Sequence, residues 1–309
     1  MGIHEMGKDK IEIIRRRTMK DFAWNPLRSF DIQGGLNNLT DDEWLDYLLH
    51  EIEIPQQYKD IIPQMPPEAV QRHYTGSTGR YTLMESLDFF KLAQKHIAEQ
   101  KIKNQAQKKL LDFGCGWGRI TRMWLKSIPG KNIFAVDPVD EMIDLCKKSI
   151  PHVNFFISNP APPLSYFQED MFTFVTAYSV FSHLSEQYLN LWFKEFARVM
   201  AKDALLFATT RSRSFITHFQ SVRNKNEYPD YANGQRQCFS DAVTALEEYD
   251  NGHILHQPMG GESFSHPYYG ETCIPAPYFS RFNTDFEILE FIPELPYETN
   301  QACIILKKK

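Results

Sequence analysis

Apolar residues in the first third of the chain fall at helical intervals behind recognisable start signals. Thr40 and Glu43 form a capping-box pattern ahead of Trp44, Leu45, Leu48 and Leu49, which predicts a helix. Thr82 and Glu85 repeat the pattern ahead of Leu87, Phe89, Phe90, Leu92 and Ala93, which predicts a second helix running to about Ala98. The stretch between them, "QRHYTGSTGRYT", reads as a polar loop. No strand signal precedes residue 108, so residues 1–108 are expected to form a helical extension. From 109 to 210 the rhythm changes. Five apolar runs, "KLLDF", "NIFAVD", "VNFFI", "FTFVTAYSV" and "ALLFATT", alternate with segments of helical period. Those segments carry Ile120, Met123, Trp124 and Ile128, then Met142, Ile143 and Cys146, then Leu189, Phe193, Phe196 and Val199 behind Ser185 as a cap. Residues 211–282 show no strong period and read as an insertion. Residues 283–309 return to strands, "FEILEFI" and "ACIILKK", which predict a closing hairpin. The expected fold is α/β: a seven-stranded, mostly parallel sheet with helices on both faces, an N-terminal helical extension and a cap after the fifth strand.

Composition narrows the partners. A chain of 309 residues can bury a sizeable core, and its net charge of −5 gives no electrostatic reason to expect nucleic acid. Lys307, Lys308 and Lys309 read as a solvated end rather than a binding patch. No apolar run reaches membrane-spanning length, and the N-terminus lacks a signal-peptide core. The five cysteines are widely spaced and form no CxxC pair, which speaks against a disulfide framework or structural zinc. A cytoplasmic protein, monomeric or homodimeric, is expected.

The chemistry concentrates at "LDFGCGWGR", Leu111 to Arg119. A glycine loop between a strand and a helix lies at the carboxyl edge of the sheet, where free N–H groups and bare backbone meet a ligand. A dinucleotide site asks for GxGxxG, but Arg119 stands at the last glycine position. The spacing is instead Gly114, Gly116, Gly118, preceded by Asp112.

That pattern resembles the first motif of the class I S-adenosylmethionine (SAM)-dependent methyltransferases, and the resemblance continues in order. "FAVDPVDEMI" is similar to their second motif, placing Asp137 at a strand end with Pro138 and Met142 behind it. "FFISNPAPPL" is similar to the third. "FTFVTAYSVFSHLSEQ" resembles the segment after the third motif in small-molecule members, with its wording "SVFSHL". Residues 80–210 carry this resemblance well, and the closing hairpin loosely. Two features depart from it: "AKDA" replaces a glycine- and proline-rich turn before the fifth strand, and no acid precedes the fourth.

The resemblance implies a Rossmann-like core at 109–210 with SAM as its cofactor. Asp137 would accept both ribose hydroxyls, and Ser158 and Asn159 would face the adenine. Gly114, Cys115, Gly116, Gly118, Pro138, Met142, Tyr178 and Ser179 complete the expected lining, with Cys115 a small filler rather than a nucleophile. Asp112 would meet the methionine amino group through water, or only hold the loop. Trp117 would pack on the cofactor or on the N-terminal helices. Arg80, beside Tyr81 in the polar loop, would pair the methionine carboxylate.

The acceptor is expected to be a small molecule such as a sugar or secondary metabolite, methylated on a hydroxyl before an amine. His183, after the fourth strand, is the first general-base candidate. "HPYYGE" offers His266 and Tyr269 as catalytic rivals, and His218, His253 and His256 also lie in the insertion. The His and Glu spacing matches no metal-ligand pattern, so no metal is expected. A peptide acceptor and a nicotinamide-dependent oxidoreductase stand as alternatives, together with a regulatory module that kept the fold and lost catalysis.

Overall fold

The computed structural model describes residues 39–54, 62–103, 107–150, 152–222, 238–259, 268–296 and 300–309. Three helices come first: α1 (Asp41–Leu49), α2 (Glu68–Thr75) and α3 (Gly79–Glu99). The Thr40–Glu43 capping box forms with both reciprocal bonds. The second predicted box does not. α3 starts at Gly79, so Thr82 and Glu85 lie inside the helix, where both accept hydrogen bonds from Arg119. Much of the predicted polar loop is helical too: residues 71–75 belong to α2. Gln71 explains this, because its buried side chain bonds Pro66 O and Gly79 N and fixes the short turn from α2 to α3.

The core follows as β1 (Leu110–Phe113), α4 (Arg119–Trp124), β2 (Ile133–Asp137), α5 (Asp140–Ser149), β3 (Asn154–Ile157), β4 (Phe172–Ala177), α6 (Glu186–Val199) and β5 (Met200–Arg211). α7 (Arg213–Val222), α8 (Ala242–Asp250), β6 (Leu255–Pro258) and β7 (Gly270–Cys273) lie in the segment expected as an insertion. β8 (Phe286–Ile292) and β9 (Gln301–Lys308) close the chain as the predicted antiparallel hairpin.

The sheet has nine strands among the described residues, not the expected seven. Seven of them do form one path, β3–β2–β1–β4–β5–β9–β8, parallel through β5 and antiparallel beyond it. The other two, β6 and β7, pair antiparallel with each other and join the sheet through the pair Arg211–Cys273. Their sequences, "LHQP" and "GETC", carry no apolar alternation to announce a strand. β5 also begins earlier than "ALLFATT" suggests. It takes in Met200–Asp203, with a register shift opposite Phe172–Phe174 and Asp203 at φ +63°.

Alternation along β1 shows how both faces are covered. Leu111 and Phe113 point one way and pack with Trp192 and Phe196 of α6. Asp112, between them, points the other way and accepts a hydrogen bond from Thr121 of α4. α3 lies against α4 on that second side, with Phe90 edge-on to Trp124 at 5.2 Å. All four residues of β1 are buried, as a strand covered on both faces requires. Ser185 occupies the N-cap position of α6 but makes no side-chain cap bond. The five cysteines form no disulfide and are buried. None of the described helices is long and apolar enough to cross a membrane.

Candidate active site

A cleft opens at the carboxyl ends of β1, β2 and β4, where an α/β sheet offers its loops to a ligand. Among the residues proposed from sequence, Asp112, Gly114, Cys115, Gly116, Asp137, Pro138, Ser158, Asn159, Tyr178, Ser179, His183 and Tyr269 line it. Arg80, Tyr81, Gly118 and Met142 do not. Arg80 is tied to Asp46 and Glu51 by ion pairs, so its guanidinium is engaged by the N-terminal helices. Tyr81 is exposed on α3 and Met142 is buried in α5. Gly118 is the N-cap of α4, and a Cβ there would collide with Ile150. His266 lies outside the described residues.

The glycine loop is not the cradle of free N–H groups that its position suggests. Gly114 N and Cys115 N donate to Val136 O at 2.9 and 3.0 Å, and Gly118 N donates to Cys115 O at 2.8 Å. Gly116 N donates to Asp137 Oδ2 at 2.8 Å. With these donors engaged inside the protein, the loop offers a ligand room rather than hydrogen bonds. Gly116 shows this most plainly: its φ is +51°, and a Cβ built on it meets no atom within 4 Å.

Asp137 ends β2, and both of its oxygens are already in use. Oδ2 accepts from Gly116 N and Oδ1 accepts from Val139 N at 2.9 Å. A carboxylate has about four lone-pair positions, so each oxygen keeps one for a further donor. Burial pushes its carboxyl above the usual range, and the two N–H groups work against that rise. Asp112 is buried deeper. Its oxygens accept from Thr121 Oγ1 at 2.5 Å and Thr176 Oγ1 at 2.9 Å. Burial raises its carboxyl to about 6, with the threonine hydroxyls opposing the shift. It joins β1, α4 and β4 beneath the loop.

The opposite wall carries His183. Its Nδ1 lies 2.8 Å from Gly270 O. A carbonyl only accepts, so Nδ1 holds the proton and Nε2 keeps a lone pair. Burial lowers the imidazole's affinity for a second proton. Glu271 raises it again, and Arg211 lowers it, leaving the net shift downward. Tyr269 stacks on the ring at 4.7 Å and 10° between planes. Burial pushes the Tyr269 phenol upward, so it stays protonated at neutral pH.

Sequence reasoning passed over Arg119 as a cleft residue. Its guanidinium lies 4.8 Å from the centre of the Tyr178 ring and 3.1 Å from Glu85 Oε2. Position was the available signal, since the first residue of a helix following a glycine loop must sit at the cleft. Tyr74, Thr75 and Val139 were also passed over. Trp117 lines the cleft, with the Arg122 guanidinium 5.1 Å from the centre of its ring, and its Nε1 is buried and without a hydrogen-bond partner. The Tyr178 hydroxyl is likewise buried and unpartnered. Among the described residues, no group of three or more His, Cys, Asp or Glu side chains is arranged to hold a metal ion.

Residues 110–203 match the family model described as "Methyltransferase domain". That stretch, and not the whole chain, is similar to a methyltransferase domain. A relative from Halalkalibacterium halodurans, malonyl-[acyl-carrier protein] O-methyltransferase, is 30% identical over 94 residues. That match covers 28% of this chain and 35% of the relative. Two solved structures of SAM-dependent methyltransferases are also similar. One, from Clostridium acetobutylicum, is 13% identical with a TM-score of 0.49, over 78% of this chain and 96% of the other. The second, from Anabaena variabilis, is 14% identical with a TM-score of 0.47, over 81% and 99% of the two chains.

Proposed function

We propose that this protein is a SAM-dependent methyltransferase acting on a hydroxyl of a small molecule, such as a sugar or secondary metabolite. One observation carries the reading: a neutral imidazole with a fixed tautomer, His183, shares its cleft with the glycine loop and Asp137.

The cofactor side fits SAM. The two remaining lone pairs of Asp137 suit a ribose diol. The open space at Gly116 suits a ligand lying against bare backbone. The engaged N–H groups of the loop speak against a pyrophosphate, which binds such loops through free donors. Ser158 and Asn159 would border the adenine. When bound, SAM supplies an activated methyl on sulfur for in-line displacement, a chemistry in which positioning is the main demand on the protein.

The acceptor side is where this chain does its own chemistry. An ionised carboxylate acceptor needs no base, whereas a hydroxyl must lose its proton as the methyl is transferred. His183 Nε2 would take that proton. Tyr74, Tyr268 and Tyr269 supply a largely aromatic wall, suited to a sugar face or a ring. Residues 211–282 would serve as the substrate-recognition insertion, since the β6–β7 hairpin brings Tyr269 and Gly270 to His183.

The test is turnover against affinity in His183→Ala, using a panel of sugar, phenol, amine and carboxylate acceptors and following S-adenosylhomocysteine release. Turnover of a hydroxyl acceptor should fall by about 10²–10⁴-fold, the usual contribution of a general base, while SAM affinity is unchanged. Small, equal losses in both would assign His183 to packing and remove the base from the proposal.

A further inference from the structure

Next to His183, and outside the cleft lining, lies an ion pair whose two members are 60 residues apart in sequence. Glu271 is the second residue of β7 and Arg211 the last of β5. Arg211 Nε donates to Glu271 Oε2 at 2.6 Å, and Arg211 Nη2 to Glu271 Oε1 at 3.3 Å. Both side chains are largely withdrawn from water, at 15% and 5% exposure. Arg211 also stacks over Phe215, 4.8 Å from the ring centre. This arrangement departs from ordinary surface ion pairs, which hold little energy and fix little geometry. Glu271 Oε1 lies 4.0 Å from His183 Nδ1, beyond hydrogen-bond length but close for a charge.

We propose that Glu271 and Arg211 are a positioning pair for His183, holding its Nδ1–H tautomer and keeping the ring neutral and basic at Nε2. The inference rests on the reading of His183 as the base. Three groups surround the imidazole and each has a part. Gly270 O takes the Nδ1 proton. Glu271 favours a second proton on the ring by its charge, against the larger effect of burial. Arg211 offsets that charge, so the ring sees a pair close to neutral. Burial works against the Arg211 charge, but Glu271 more than compensates and holds the guanidinium protonated. Other titratable neighbours are accounted for. The Tyr269 phenol is pushed upward by burial and remains neutral, and His256 of β6 has its Nδ1 2.8 Å from Thr272 Oγ1. Asp112, Asp137 and Arg119 are the acidic and basic groups farther along the same cleft lining.

The two members make opposite predictions, which a merely structural pair would not. In protein labelled with ¹⁵N at histidine, the His183 imidazole can be titrated directly by NMR without any acceptor. Its signals are identified by their loss in His183→Gln. Wild type should show the Nδ1–H tautomer. Glu271→Gln should move the midpoint down in pH, and Arg211→Met should move it up, towards the pH at which the base is lost. Glu271→Asp, which draws the carboxylate back, should fall between wild type and Glu271→Gln. Arg211→Lys, which retains the charge, should lie closer to wild type than Arg211→Met. S-adenosylhomocysteine affinity, measured calorimetrically on each variant, reports whether the cleft is intact and tests the cofactor reading separately. If the midpoint is the same in all variants, or Glu271→Gln and Arg211→Met shift it the same way, the pair is structural only and the proposal fails. Should Glu271→Gln not fold, Arg211→Met still decides, since a midpoint equal to or below that of wild type there also overturns the proposal.

Discussion

His183 and Gly270 hold each other by two hydrogen bonds. Gly270 N donates to His183 O at 2.9 Å, and His183 Nδ1 donates to Gly270 O at 2.8 Å. The same glycine pairs with Pro258 across the β6–β7 hairpin. One residue of the β6–β7 hairpin therefore fixes both the backbone and the ring of the candidate base. The hairpin is bound further by Thr272 N to Ser182 O at 2.7 Å and Ser185 N to Tyr268 O at 2.9 Å.

Gly270→Ala tests that arrangement. An added Cβ would collide with Gln257 O of β6, a backbone atom that cannot rotate away. The hairpin must separate or tilt, at a cost of about 1–3 kcal/mol, as for other overpacked sites. Thermal unfolding should show the loss. Turnover should drop further than SAM affinity, because the hairpin carries His183's partner while Asp137 and the glycine loop lie elsewhere.

Asp112 gives the protein a pH-dependent term. Its carboxyl rises from an ordinary 3.8 to about 6 through burial, so the folded state holds a proton that the unfolded state has released. This contribution to stability is complete below about pH 3.8 and is lost as pH rises through about 6, with a slope of about −1.4 kcal/mol per pH unit between them. Asp112→Asn removes the group. The stability of wild type relative to Asp112→Asn, from chemical denaturation without ligand, should fall as pH rises from 4 to 6. A constant difference would place the Asp112 carboxyl at its ordinary value.

Arg122 supports the glycine loop from beneath. It is fully buried and donates to Trp117 O, to Gln64 O at 2.7 Å and to Ser149 Oγ at 3.2 Å. Burial lowers its guanidinium to about 10, so it remains charged at neutral pH. Lysine keeps the charge but not the planar fork that reaches several acceptors at once. Arg122→Lys should therefore destabilise the fold by about 1–3 kcal/mol for each buried carbonyl left unpaired. Melting temperature and SAM affinity should fall together, because Trp117 lines the cleft.

Much of this fold was legible because its central strands are buried on both faces. β1, β2, β4 and β9 read as continuous apolar runs, and the helices between them kept their period. β6 and β7 were not legible. Glu271 and Thr272 are buried through partners, an ion pair and two backbone contacts, rather than through apolar character. The cleft residues of the glycine loop and Asp137 followed from local order along the chain. The choice between Arg80 and Arg119 did not, because both flank the same helices and only packing decides which reaches the cleft. The pairing of Glu271 with Arg211 was out of reach for the same reason: Glu271 ends the "HPYYGE" stretch, Arg211 stands 60 residues earlier, and only a register between distant strands brings them together.

The central claim is that the cleft holds SAM against the glycine loop and Asp137. Calorimetric titration of the purified protein with SAM, S-adenosylhomocysteine and NAD tests it most directly, repeated on Asp137→Ala. Micromolar binding of the first two ligands, none of NAD, and a loss of roughly 1.5–3 kcal/mol in Asp137→Ala for hydrogen bonds to a charged group are the predicted results. Binding of NAD alone, or SAM affinity indifferent to Asp137→Ala, would contradict the account.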